Sequence, residues 1–369
     1  MHITFSTNYT LILAVLVLLL GKFLVSRIRF LRDFNIPEPV AGGLLIAAVI
    51  YILHATMGWS FGFESSLQTA FMLAFFASIG LSANFAKLRQ GGIGLVIFLC
   101  VIVVFILVQN AVGIGLAKAL GLDPLVGLVA GSITLVGGHG TAGAWGSVLE
   151  QQHGLTGATT LGMACATFGL VIGGIMGGPL AKRLITQHKL AKPRSEADQL
   201  GSTPAAGHEQ NDFVNLESPS KTPRLITADA AIETLALFAA CLAFGEFMTH
   251  VTKGTAIQLP TFVWCLGGGV IIRNVLDYIF GFKVFDRAID VFGNVSLSIY
   301  LAIALLSLKL WELTDLAGPL VIILAVQTLV MALYAMFVTF RIMGKNYDAA
   351  VLAAGHCGFG MGATPTAVA

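Results

Sequence analysis

The chain has 369 residues, of which 56% are hydrophobic and 11% charged, and its mean hydropathy is +0.87. Soluble domains carry about a quarter charged residues, so this composition excludes an ordinary soluble protein. A net charge of +2 supplies no basic field for nucleic acid, and no such partner is expected.

An apolar stretch of roughly 17–25 residues is long enough to cross the hydrocarbon core as a helix. Nine such stretches are predicted: Thr10–Val25, Val40–Met57, Leu67–Ala83, Ile93–Leu116, Thr159–Leu180, Ala228–His250, Thr261–Phe280, Val291–Leu308 and Leu316–Ile342. No basic stretch precedes the first of them and no small-residue cleavage site follows it. It therefore reads as a membrane helix rather than a secretory signal. Between the fourth and fifth lies the apolar run Leu125–Val136, which is too short to cross. It breaks at Gly137 and Gly138 and continues through small residues to Trp145. The economical reading is a re-entrant hairpin over about 125–145 that enters and leaves on one side.

Charge tests that topology. With the N-terminus outside and nine crossings, only Lys118, Lys253 and Lys309 of the 21 basic residues fall outside. That is the bias the positive-inside rule demands. Were Leu125–Trp145 a full span, Lys182, Arg183 and the basic segment after them would face outward instead.

The chain divides into an N-terminal half over 1–183, a linker over 184–227 and a C-terminal half over 228–369. The linker is rich in Pro, Gly and polar residues and reads as a flexible cytoplasmic tether without a core. Short echoes run at nearly constant spacing between the halves. Ile36-Pro37-x-x-Val40 recurs as Leu259-Pro260-x-x-Val263, Leu95-Val96-Ile97 as Leu320-Val321-Ile322, Gly121 as Gly344, and Gly138-His139-Gly140 roughly as Gly358-Phe359-Gly360. Five spans per half is an odd number, so equivalent halves are inverted relative to each other. The expected fold class is all-α: a polytopic membrane protein of two inverted five-helix repeats, each with a re-entrant hairpin, the second from about 347. By this register the partner of the fifth span falls beyond Ala369, so the last helix of the second repeat is expected to be missing from this chain.

Two glycine-rich polar segments stand out, G-G-H-G-T-A-G over Gly137–Gly143 and G-H-C-G-F-G-M-G over Gly355–Gly362. Unpaired backbone groups are not tolerated in lipid, so such helix-breaking stretches at membrane depth line a protein-enclosed cavity. A tip offers free amides to carboxylates at a half-helix start, and free carbonyls to a cation. The candidates for substrate are Gly138, His139, Gly140, Thr141, Gly358, Gly360 and Thr364. The candidates for Na⁺ are Ser132, Thr134, Gly137, Gly355 and Thr366, where hydroxyl and carbonyl oxygens suit a hard cation. His139 and His356 are either neutral struts or proton relays.

Asn84, Gln109, Asn110, Asn294, Ser296, Ser298 and Gln327 read as interhelical hydrogen-bonding groups. Arg273 either snorkels to the cytoplasmic interface or meets a substrate carboxylate. Gly169, Gly173 and Gly177 form one small-residue face for close helix packing. The five cysteines fall in apolar segments without metal-ligand spacing and are expected to be buried thiols. There is no nucleotide-binding glycine pattern and no hydrolase or metalloprotease motif, so no enzyme activity and no cofactor are expected, and an ion gradient must supply the energy.

The stretches I-P-E-P-V-A-G-G (Ile36–Gly43), G-S-I-T-L-V-G-G-H-G-T (Gly131–Thr141), G-N-V-S-L-S (Gly293–Ser298) and G-K-N-Y-D-A-A-V-L-A-A-G-H-C-G-F-G (Gly344–Gly360) closely resemble the bacterial sodium/glutamate symporter family. The resemblance runs along nearly the whole chain. It implies Na⁺-driven L-glutamate uptake across the bacterial inner membrane, ten spans in two inverted halves, a homodimer in lipid, and an elevator mechanism with Na⁺ as the coupling ion. The alternatives are a Na⁺- or H⁺-coupled carrier of dicarboxylates or citrate and, from another class, an ion channel with two re-entrant loops.

Overall fold

A computed structural model describes residues 2–33, 36–190, 226–255, 257–282, 284–311 and 316–362. Most of the linker lies outside these residues, as does everything beyond Gly362. The described helices are α1 (Thr7–Arg27), α2 (Arg29–Asp33), α3 (Glu38–Met57), α4 (Ser65–Ser82), α5 (Phe85–Gln90), α6 (Gly92–Ala119), α7 (Pro124–Leu128), α8 (Gly138–His153) and α9 (Ala158–Gln187) in the first half. The second half contains α10 (Ala228–Val251), α11 (Thr261–Tyr278), α12 (Asp286–Leu306), α13 (Ala317–Tyr334), α14 (Phe340–Ile342) and α15 (Tyr347–Gly360).

Among the described residues, eight helices are long and apolar enough to cross a membrane. A ninth, α11, occupies the seventh predicted span but carries Arg273, Asn274 and Asp277 in its last turns. Many of their large apolar side chains face outward, including Ile93, Val96, Leu99 and Leu107 of α6. Exposed apolar surface on this scale marks a lipid or protein contact.

Helix boundaries follow local chemistry. Pro39 sits in the first turn of α3, where its missing N–H costs no bond. That helix stops at Gly58 in the left-handed conformation (φ 67°). The side chains of Glu64, Thr227 and Asn346 cap α4, α10 and α15 by accepting backbone amide protons. Glycine also sets helix approach: a β-carbon on Gly21 would run into the Glu38 carbonyl, so α1 and α3 pack backbone to backbone. One element departs from the all-α expectation. His2–Phe5 and Ser60–Phe63 form a parallel two-stranded ribbon, on which Phe5 stacks against Phe61 and Phe63.

The helices pack as two bodies, each drawn from both halves. One contains α1, α3 and α4 with α10, α11 and α12; the other contains α6 to α9 with α13 and α15. Within the second body, α6 and α13 run antiparallel. Tyr334 donates to the Val101 carbonyl (2.9 Å) and Gln327 to that of Gln109 (2.8 Å). α9 and α15 are also antiparallel, with Gly169 facing Met361 and Gly177 facing Ala354. The small-residue face predicted on α9 is this contact. The bodies meet where α8 and α9 lie on α4, α11 and α12, through Met163 and Leu170 against Tyr300 and Leu301, and Trp145 against Phe262.

Two expectations are corrected by packing. Arg273 is 4% exposed and does not snorkel: its guanidinium is taken up by Asp277 (2.9 Å) and Asp286. A charge removed from water needs such partners, and the apolar context of the segment hid them. Cys165, Cys241, Cys265 and Cys357 are buried, but Cys100 is exposed because it lies on the outward face of α6.

Candidate functional site

The first glycine-rich region begins with Asp123, whose carboxylate accepts from the Leu125 amide (2.8 Å) and starts α7. The chain widens into a π-helix over Val129–Ile133, with Gly131 in a non-helical conformation (φ −113°, ψ −132°). A π segment of this kind interrupts the regular backbone ladder. Two threonines answer the freed carbonyls: Thr134 donates to Val129 O and Thr141 to Ile133 O, each at 2.6 Å. The amide of Ser132 donates to Asn110 Oδ1 (3.3 Å).

The turn itself lies at Val136–Gly137, and α8 starts at Gly138 with φ 70°, a conformation glycine adopts at little cost. No side chain caps α8, so its first-turn amides, those of Gly138, His139 and Gly140, precede the intrahelical ladder. Gly137 must be glycine because a β-carbon there would strike the Thr141 hydroxyl.

His139 is 8% exposed, and its Nε2 lies 3.0 Å from Thr167 Oγ1. The Thr167 hydroxyl already donates to Met163 O (2.8 Å), so it accepts from His139 and Nε2 carries the proton. That arrangement is a strut from α8 to α9. Gly140 faces Phe75, whose Cε1 would stand 2.7 Å from a β-carbon there. The Gly140 carbonyl accepts from the Tyr300 hydroxyl of α12 (3.0 Å).

In the second region the helix persists further than the glycine pattern suggests. Gly355, His356, Gly358 and Gly360 all lie within α15, and the turn comes at Met361–Gly362, with Gly362 at φ 78°. His356 is fully buried. Its Nδ1 lies 2.8 Å from Thr339 Oγ1, and the rings of Phe98, Phe105 and Tyr334 stand edge-on around it. Thr339 belongs to a second π segment, Ala335–Thr339, at the end of α13. Thr364 and Thr366 lie outside the described residues.

The two regions touch. A β-carbon on Gly362 would stand 3.4 Å from Thr134 O, 3.5 Å from Leu135 O and 3.7 Å from Gly138 Cα. An uncapped helix start and a helix end are thereby set side by side. The start of α8 favours negative charge and the end of α15 favours positive charge. Thr134 and Gly138 lie at this contact, and Thr141 reaches it through its bond to Gly138 O (3.2 Å); Ser132 lies earlier on the arm, its amide on Asn110, and Gly355 lies further back along α15.

Tyr300, which fixes the Gly140 carbonyl, was not singled out in the sequence. The available signal was a lone phenolic group within an apolar span, since buried tyrosine hydroxyls seek partners. A polar cleft of about 380 Å³, lined by residues including Gln68, Ser147, Glu150, Thr160 and Lys309, opens between the two bodies beside the later turns of α8. It is separate from the contact between the tips.

The sodium/glutamate symporter family model matches residues 3–369. A sodium/glutamate symporter of Haemophilus influenzae is 54% identical over 369 residues, which cover 100% of this chain and 89% of that protein. The corresponding symporter of Escherichia coli is 54% identical over 363 residues, covering 98% of this chain and 87% of its own length. That of Shigella flexneri matches to the same extent. With its apolar helices and two contacting glycine-rich regions, the chain is a multi-pass membrane transporter, not an enzyme, and it belongs to the sodium/glutamate symporter family.

Proposed function

We propose that the protein carries L-glutamate into the cell together with Na⁺ across a bacterial inner membrane. The observation that carries this reading is the contact of Gly138 with Gly362. There the first-turn amides of α8 suit the substrate carboxylates, while the carbonyls at the end of α15 and the oxygens of Ser132 and Thr134 suit cations. Membership of the sodium/glutamate symporter family makes Na⁺ the coupling ion rather than a resident cofactor.

In this reading Pro124–His153 is a re-entrant hairpin. α6 starts beside the end of α13, as the Tyr334–Val101 bond requires, and the end of α9 lies there too, with His188 4.9 Å from Phe340. A 30-residue helix is about 45 Å long, so α9 begins at the opposite end, where α6 finishes. The segment between them therefore leaves and returns at one end. Two inverted repeats are supported by matched entries to the two tips: Gly121 and Gly344 both have positive φ, and Asp123 and Asn346 both cap the helix that follows.

The two bodies give alternating access a physical form. The body with α6 to α9, α13 and α15 bears the tips and slides against the other, as an elevator, in a homodimer held in lipid. The N-terminus lies outside and the linker in the cytoplasm. The polar cleft at Glu150 and Lys309 supplies the external approach. The test is uptake of radiolabelled glutamate into liposomes under a Na⁺, K⁺ or pH gradient alone. Accumulation is expected with Na⁺ outside. Accumulation driven equally by a pH gradient without Na⁺ would favour a proton-coupled carrier, and substrate-independent current would favour a channel.

A further inference from the structure

Gln109 on α6 and Gln327 on α13, one from each half, are both fully buried. Gln109 Nε2 donates to Gly360 O (3.2 Å), and Gln327 Nε2 donates to Gln109 O (2.8 Å). These carbonyl partners fix how each amide is turned, because a flip would set oxygen against oxygen. Each Oε1 must therefore point away from its neighbour, and neither meets a hydrogen-bond donor among the described residues. A buried acceptor left unpaired is costly, and two of them in one region call for an occupant.

The surroundings say what kind. The Gln327 amide and the backbone of Gln109 border the break at Gly131: a β-carbon there would stand 3.4 Å from Asn110 Oδ1, 3.6 Å from Gln327 Nε2 and 3.7 Å from Gln109 O. Gly113 gives way in the same manner, with Gln327 Nε2 3.0 Å from its β-position. The offered atoms are the neutral oxygens of two side-chain amides. Such a set suits a monovalent hard cation, whereas a divalent one would demand carboxylates.

We propose that Gln109 Oε1 and Gln327 Oε1 are ligands of a coupling Na⁺, in a site between α6 and α13 beside the Gly131 break. This rests on the symport reading above and deepens it. The site lies behind the tips and adds to the cation position that the Ser132 and Thr134 oxygens offer there. A cation held there draws the broken backbone at Gly131 and the Gly360 turn of α15 against α6 and α13. Those are the segments that lead into Gly138 and Gly362, so Na⁺ binding orders the place where glutamate is held.

The test uses the whole protein in detergent without glutamate, following the thermal midpoint as NaCl replaces choline chloride at constant ionic strength. Na⁺ is expected to stabilise the native protein. Gln109→Leu and Gln327→Leu should each raise half-saturating Na⁺ by about tenfold or more. Glutamate KM at saturating Na⁺ should change much less. If either leucine variant fails to fold, Gln109→Asn and Gln327→Asn retract the oxygen by one methylene and should shift the Na⁺ titration in the same direction. Unchanged Na⁺ half-saturation in the variants would overturn the site, and is the result expected if these oxygens hold only water. Glutamate uptake that ignores Na⁺ in the native protein would instead sink the symport reading, even if Na⁺ still bound at these glutamines.

Discussion

The arms that lead into the two tips start alike and then diverge. Each follows a glycine of positive φ, Gly121 or Gly344, and each is capped by an acidic or amide side chain, Asp123 or Asn346. The first then loses regular helix within ten residues, at the π segment and Gly131, while α15 runs unbroken for 14 residues to Gly360. At the register set by the caps, Gly131 stands opposite Ala354, which favours helix where glycine does not. The first arm also has groups that compensate for the break, in Asn110, Thr134 and Thr141. Glycine content alone therefore does not locate a break. It needs a helix-weakening position together with side chains that serve the freed backbone groups.

The largest test of this contrast concerns glycines that serve packing rather than breaking. A β-carbon on Gly169 would stand 2.5 Å from the Met361 carbonyl, whereas one on the nearby Gly178 meets nothing within 4 Å. Gly169→Ala should force α9 from α15 at a cost of roughly 2–3 kcal/mol, with uptake largely lost. Gly178→Ala should leave both the thermal midpoint and uptake near native values. A harmless Gly169→Ala would mean that α15 does not depend on α9 for its position.

Next in size is Tyr300→Phe, which leaves the buried Gly140 carbonyl without its donor from α12. The expected loss is about 1–2 kcal/mol in thermal stability, with a raised glutamate KM. An unchanged KM would show that the carbonyl needs no anchor in the other body. Asn346→Ala removes the cap of α15 and should cost about 1 kcal/mol, measured by thermal unfolding. The smallest effect is expected from Ala354→Gly, which makes the second arm resemble the first at the matched position. It should cost about 0.5–1 kcal/mol through helix propensity, and faster amide exchange confined to α15 would be its signature.

Much of this architecture was legible in the sequence because membrane spans are set by length and apolar content, which are local properties. The nine predicted spans fall on helices, α1, α3, α4, α6 and α9 to α13, of which all but α11 are long and apolar enough to cross a membrane. What was hidden depends on distant partners. The Arg273 ion pairs require Asp286 from another helix, and the Tyr300 bond joins residues 160 apart in sequence. The β-ribbon pairs the extreme N-terminus with Ser60–Phe63, which no short-range pattern announces. Helix persists through Gly355 and Gly358, beyond the break expected there, because α15 is buried against α9 and tertiary packing overrides the low helix propensity of glycine. Gln109 and Gln327 were read correctly as hydrogen-bonding groups, but their unpaired oxygens appear only once both partners are in place.

The central claim is that the two glycine-rich turns form one ligand site, and a double-mutant cycle tests it most directly. Gly138 and Gly362 both hold positive φ, and a β-carbon added to either would come within 4.0 Å of the other. Alanine at either position should strain the turn by about 1–2 kcal/mol. Equilibrium binding of glutamate at saturating Na⁺ would be measured for Gly138→Ala, Gly362→Ala and the double variant. The account predicts that each single change weakens glutamate binding and that the double change is clearly non-additive, because the residues shape the same site. Native affinity in either single variant, or strictly additive losses in the double, would contradict it.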